Sequence, residues 1–194
     1  DVHSLIGVNV DQFFGIEIEE FPAQIAQVAL WLVDHQMNLR VSVEFGLYFA
    51  RIPLKSTPQI RHANALRLDW NEVLPAERCS YVLGNPPFRG KQNQTPKQKA
   101  DVAPIYEPLE GGGVLDFVAA WYIKSANYAK VNPTLNIGFL STNSIVQGEQ
   151  VGVLWSWLID QGIKINFAHR TFKWSNEASS NAAVHCIIIG FSHT

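Results

Sequence analysis

Cysteine is scarce in this chain: Cys79 and Cys186 are two among 194 residues and show no metal-ligand spacing. Both sit in strand-like settings, and the reading is two buried free thiols in a reducing cytoplasm. A basic excess is missing too, since 15 Lys and Arg face 17 Asp and Glu and leave a net charge of −2. A domain that grips duplex DNA unaided is usually basic, so a stand-alone duplex binder is disfavoured. No apolar run is long enough to cross a membrane, and the first residues lack the charged-then-apolar order of a secretory signal. Repeats and low-complexity tracts are absent. His169 and His185 are isolated, lack metal-ligand spacing and read as structural, so no metal site is expected.

What the chain does hold is ample core material, including six tryptophans, and its length fits a single domain over 1–194. Residues 13–18 read as a buried strand. Apolar residues at Ile25, Val28, Ala29, Leu32 and Val33 then recur at helical spacing over 22–37, with Pro22 in the first turn. Residues 39–57 read as an irregular excursion, 60–66 as a short strand ending at Asn64-Ala65-Leu66, and 81–84 as a buried central strand. Residues 89–113 are polar and read as a long mobile loop ending in three glycines. Helices are expected over 115–130 and over 149–161, the second with Val153, Leu154 and Trp157 inward. Asn136 to Thr142 reads as a strand, and Ile163 to Phe172 with Val184 to Phe191 as a hairpin. The sum is an α/β chain whose six strands form a largely parallel sheet with one antiparallel member.

The most informative segment is Tyr81-Val82-Leu83-Gly84 running into Asn85-Pro86-Pro87-Phe88. Open α/β sheets bind ligands at the carboxyl ends of their strands. Two prolines stiffen the turn, and the residue before a proline is held extended, which fixes the pose of Asn85. The Asn85 side-chain oxygen and the Pro86 carbonyl are then two acceptors, with the Phe88 ring beside them. Acceptors without a donor suit methylation of an exocyclic amino group on a planar base. They draw the nitrogen toward tetrahedral geometry and localise its lone pair, while the ring offers a stacking face.

The strand and its Asn-Pro-Pro-Phe turn resemble the catalytic motif of S-adenosylmethionine-dependent amino-group DNA methyltransferases, with the gamma-type adenine-N6 enzymes nearest. Phe14 to Asn38, His62 to Pro75, Asn136 to Trp157 and Phe167 to Phe191 look like large single-chain restriction–modification methyltransferases of the type IIG kind. The resemblance implies a Rossmann-like fold of seven strands, of which the first, with its Gly-rich cofactor turn, is not seen here. The chain is accordingly expected to be part of a longer protein carrying that motif and a target-recognition region, and to hold the cofactor poorly by itself. It also implies a cytoplasmic enzyme whose partner is DNA.

Residue by residue, the resemblance places Asn85, Pro86, Pro87 and Phe88 at the reacting base. Glu17 would accept the cofactor's ribose hydroxyls, although Glu19 and Glu20 show that acids are common there. Ile18 would pack on the cofactor's adenine, and Asn64, with Ala65 beside it, would read the adenine amino group, with Asn85 also near the cofactor. A flipped target base would stack on Phe88 and on a second aromatic, Phe172 or its rival Trp174. Arg89 and Lys91, with Lys97 and Lys99, are candidates for phosphate contact or a solvated face. Ser141-Thr142-Asn143-Ser144 either shapes the base pocket or caps the next helix. The turn alone leaves cytosine-N4, an RNA base or a protein glutamine open as acceptors. A non-catalytic DNA-recognition or scaffold module remains the reading from another class.

Overall fold

Pairing between short parallel strands sets the architecture. The computed structural model describes residues 7–46, 56–174 and 184–193, and the chain divides into two compact units, Asp1–Leu74 and Pro75–Thr194.

In the first unit β1 (Phe14–Glu17) pairs in parallel with β2 (Gln59–His62), Glu17 opposite His62. Parallel neighbours need a long crossover, and α1 (Glu20–Phe45) supplies it. The helix outruns the expected 22–37 because nothing breaks it before Gly46, which turns left-handed at φ 65°. The first part of the expected excursion, 39–45, is therefore helical, and residues 47–55 lie outside the described residues. The stripe Ile25, Val28, Leu32 and Val33 is on the helix as expected but is about half exposed. β2 is also shorter than expected. Asn64 Oδ1 accepts from the Leu66 N–H at 2.9 Å, which folds 64–66 into a turn instead of extending the strand.

The second unit is a four-stranded sheet in the order β3-β4-β6-β5, with β3 (Tyr81–Gly84), β4 (Asn136–Thr142), β5 (Ile163–Trp174) and β6 (Val184–His193). β3 and β4 are parallel, whereas β6 runs antiparallel to both its neighbours. The hairpin and the lone antiparallel strand are thus as expected, but the six described strands fall into two sheets, β1-β2 and β3-β4-β6-β5, instead of the single sheet expected. The core gathers on α3 (Ala119–Ala129), where Tyr122 stacks on Phe191 with ring centroids 5.3 Å apart and meets Phe139 edge-on at 5.2 Å. The buried Tyr122 hydroxyl shares a 2.7 Å hydrogen bond with Ser141 Oγ.

Three further expectations need correction here. First, among the described residues β3 is neither central in its sheet nor buried: it pairs with β4 alone, and Tyr81 and Leu83 are 71% and 80% exposed. Strand alternation puts both on one face, which no described element covers. Second, the stretch read as a loop contains α2 (Pro96–Tyr106). A reciprocal capping box starts it: Thr95 Oγ1 accepts from Gln98 N and Gln98 Oε1 accepts from Thr95 N, with Pro96 in the first turn. Third, the helix expected over 149–161 opens as a π turn (Val151–Trp155) before α4 (Ser156–Asp160). The wider turn shifts the inward phase, so Leu154, Trp155 and Leu158 are buried while Val153 and Trp157 are only half-buried.

Candidate active site

The turn after β3 is held from below. Gly84 packs so closely that a Cβ there would lie 3.1 Å from the Phe139 ring. Pro86 is buried, whereas Asn85 and Pro87 are exposed and Phe88 is half-buried. Proline rigidity and a wedged Pro86 therefore present the Asn85 side chain outward. Its amide has no hydrogen-bond partner among the described residues.

The chain leaving the turn is tied down at once. Arg89 O accepts from Phe117 N at 2.9 Å, and Lys91 N donates to Asp116 Oδ1 at 2.9 Å. The other carboxylate oxygen of Asp116 accepts from Ser144 Oγ at 2.7 Å and from Gln150 Nε2 at 3.0 Å. Ser144 Oγ in turn shares a 2.7 Å bond with Thr142 Oγ1. The Ser/Thr cluster at the end of β4 therefore bonds to Tyr122 through Ser141 and to Asp116 through Ser144, and Thr142 makes no side-chain cap. Sequence reasoning missed Asp116. The available signal was a single carboxylate inside the apolar run Val114-Leu115-Asp116-Phe117-Val118, where an unpaired charge would be costly.

Phe172 stands toward the same edge of the sheet. Thr142 of β4 pairs with Cys186 of β6, which pairs with Phe172 of β5. The Phe172 ring is half-buried and meets His169 edge-on at 5.5 Å. Strands β3 and β5 are separated by β4 and β6, so three strand spacings, about 14 Å, lie between their axes. The backbone of Trp174 pairs with Val184, and its side chain lies outside the described residues.

The basic side chains Arg89, Lys91, Lys97 and Lys99 are all exposed. An open cleft of about 760 Å³ is lined by Lys91, Gln94, Lys99, Tyr106 and Leu115 among others, and neither Asn85 nor Phe88 borders it. Burial pushes the Tyr106 hydroxyl up, with the Asp116 charge adding to the shift, and burial likewise raises both the Cys79 and the Cys186 thiols. Among the described residues no group of three or more His, Cys, Asp or Glu is placed to hold a metal, and no helix is long and apolar enough to cross a membrane.

In the first unit, Glu17 ends β1 and is half-buried, its Oε1 accepting from Glu19 N at 3.1 Å. Ile18 is 49% exposed. Asn64 and Ala65 follow β2 on the same carboxyl edge as Glu17, half-buried, with Ala65 O accepting from Trp70 Nε1 at 2.9 Å. The sheet register thus brings Glu17, Ile18, Asn64 and Ala65 to one end of the first unit, and Asn85, Phe88 and Phe172 to one edge of the second.

The described strands form parallel pairs with one antiparallel member, and an exposed asparagine precedes the double-proline turn after β3. A family model described as the DNA-methyltransferase domain of MmeI matches residues 2–194, and the chain belongs to that family. It is 43% identical over 187 residues to DNA methyltransferase A of Bacillus subtilis (strain 168), covering 95% of this chain and 21% of that protein. A solved structure of the type IIL restriction–modification enzyme MmeI in complex with DNA matches with a TM-score of 0.93 and 64% identity, over 100% of this chain and 26% of that one. The chain therefore spans about a fifth to a quarter of the length of these relatives.

Proposed function

We propose that residues 1–194 are the catalytic domain of a restriction–modification enzyme that moves a methyl group from S-adenosylmethionine to the N6 amino group of a flipped adenine in DNA. The observation that carries this reading is the exposed Asn85 amide beside the buried Pro86 and the half-open Phe88. The parallel pairs β1–β2 and β3–β4 support a Rossmann-like fold.

The Asn85 side-chain oxygen and the Pro86 carbonyl accept the two N–H bonds of the adenine amino group, and its lone pair is turned outward. S-adenosylmethionine supplies a sulfonium-bound methyl carbon. With it bound, the nitrogen lone pair would form the new N–C bond while the C–S bond would break and leave its electrons on sulfur. The nitrogen then sheds a proton to solvent. No base is needed beforehand, so the contribution of the chain is positioning and electrostatic preorganisation. Phe88 stacks on one face of the base, and Phe172, with Trp174 as its rival, serves the other. Arg89 and Lys91 meet phosphates along the 89–113 segment, which faces DNA.

The first unit fits the cofactor's nucleoside. Glu17 is an acceptor-only carboxylate suited to a ribose diol, and its contact with Glu19 N leaves lone pairs to spare. Ile18 is exposed for packing on an adenine ring. Asn64, whose Oδ1 accepts from Leu66 N, places an amide of the right chemistry for an adenine edge at the same end of the unit, with Ala65 alongside. These contacts alone hold the cofactor weakly, and further domains of the longer protein complete the grip and the choice of DNA sequence.

The test is Asn85→Ala in the full-length enzyme, with labelled cofactor and digestion of the product DNA. Methyl transfer should fall by about a hundredfold to a thousandfold, as expected when a preorganised polar partner of the reacting group is lost, with cofactor affinity nearly unchanged. The parent's label should run as N6-methyladenine. Label in cytosine or in protein would change the acceptor, and near-normal turnover by the variant would refute the role of Asn85.

A further inference from the structure

Asp116 lies outside the turn yet governs where the chain goes after it. Asp116 lies two residues before Val118, the N-cap of α3, and α3 has no side-chain cap at its start. The carboxylate is directed elsewhere. It takes Lys91 N on one oxygen, and Ser144 Oγ and Gln150 Nε2 on the other. An ionised carboxylate is acceptor-only and makes charge-assisted bonds, so these three donors match its chemistry. The main chain of the same residue is fixed as well, its N–H donating to Gln150 Oε1 at 2.9 Å and its carbonyl accepting from Tyr106 Oη at 2.6 Å. The next residue, Phe117, donates its N–H to Arg89 O. The chain is thus clamped one and three residues beyond Phe88, to Phe117 and Asp116.

We propose that Asp116 is the positioning residue of the methyl-transfer turn. It fixes the exit path of Asn85-Pro86-Pro87-Phe88, and so the pose of the Phe88 ring and the direction in which Arg89 and Lys91 leave the sheet. This rests on the methyl-transfer reading above. Asp116 itself need not touch base or cofactor. Its effect is geometric: it couples the segment after β3 to the segment after β4 through a single carboxylate.

The experiment uses the full-length enzyme and measures single-turnover methylation of DNA at saturating DNA and cofactor, well below each variant's Tm. Cofactor Kd is measured beside it. A displacement of a reacting group by about 1 Å can slow a reaction about a hundredfold, so Asp116→Ala should be slower by about tenfold to a hundredfold, with cofactor Kd held within about twofold. Asp116→Asn keeps one acceptor for Lys91 N and should recover part of the loss, and Ser144→Ala should show a smaller loss of the same kind. A merely structural role would lower Tm and leave the single-turnover rate alone. A parental rate in Asp116→Ala, with Asn85→Ala inactive, would overturn the positioning role and leave the methyl-transfer reading standing. A parental rate in Asn85→Ala would remove that reading itself. Should Asp116→Ala not fold, Ser144→Ala and Gln150→Ala decide the matter, and parental rates in both would overturn the proposal.

Discussion

Gly84 shows how much of the site depends on one missing methyl. Its Cβ would lie 3.1 and 3.2 Å from two carbons of the Phe139 ring and 3.8 Å from Pro86 Cδ. Phe139 is itself buried and packed against Tyr122 and Phe191, so the ring has little room to retreat. Gly84→Ala should therefore cost about 1–3 kcal/mol, as overpacking does, read as a lower urea midpoint at unchanged slope. Turnover should fall further than stability, because the residue that must shift is next to Asn85. At this scale the sequence was informative where covalent geometry dictates the answer: two prolines after an asparagine define a stiff outward turn with no knowledge of neighbours. It was silent on Asp116, whose three donors come from residues 25 to 34 positions away. Local pattern carries no trace of such a bond beyond an acid in an apolar run. Asn64 falls between these cases, since an asparagine at a strand end has the same appearance whether it folds a turn or reads a ligand.

Among elements, α2 is the one that polar composition concealed. Its apolar face is thin, with Val102 and Tyr106 as its buried apolar residues, so periodicity gives little signal and the capping box does most of the specifying. Thr95→Ala should destabilise the helix by about 1 kcal/mol, detectable as faster hydrogen exchange over 96–106 with smaller change elsewhere. Exposed Lys97 and Lys99 ride on this helix, so the same variant should weaken DNA binding more at low salt than at high salt if they meet phosphates. The strands were easier to read. β4 matches its expected span of 136–142, because alternation and a following polar cluster mark both ends. What an apolar run does not reveal is its neighbours. Tyr81-Val82-Leu83 has the composition of a central strand, but pairing is decided by distant segments, and here β3 has a partner on one side alone among the described residues.

For the molecule as a whole, the buried tyrosines set an alkaline limit. Burial raises Tyr106 and Tyr122 above the ordinary 10.0, so the folded state keeps protons that the unfolded chain releases. That stability is fully present below about pH 10 and is lost as pH rises further, at about 1.4 kcal/mol per pH unit for each tyrosine that ionises only on unfolding. Urea midpoints across this range should fall with pH. Tyr122→Phe combined with Ser141→Ala, which leaves no orphaned hydroxyl, should make the fall shallower, and an unchanged slope would show that Tyr122 ionises in place. The free side of β3 bears on handling in the test tube. Among the described residues the outer backbone groups of Tyr81–Gly84, flanked by the exposed Tyr81 and Leu83 side chains, have no strand partner and form an edge onto which an extended peptide could zip. Concentrated samples of these 194 residues are therefore prone to strand-to-strand clumping that begins beside the reactive asparagine.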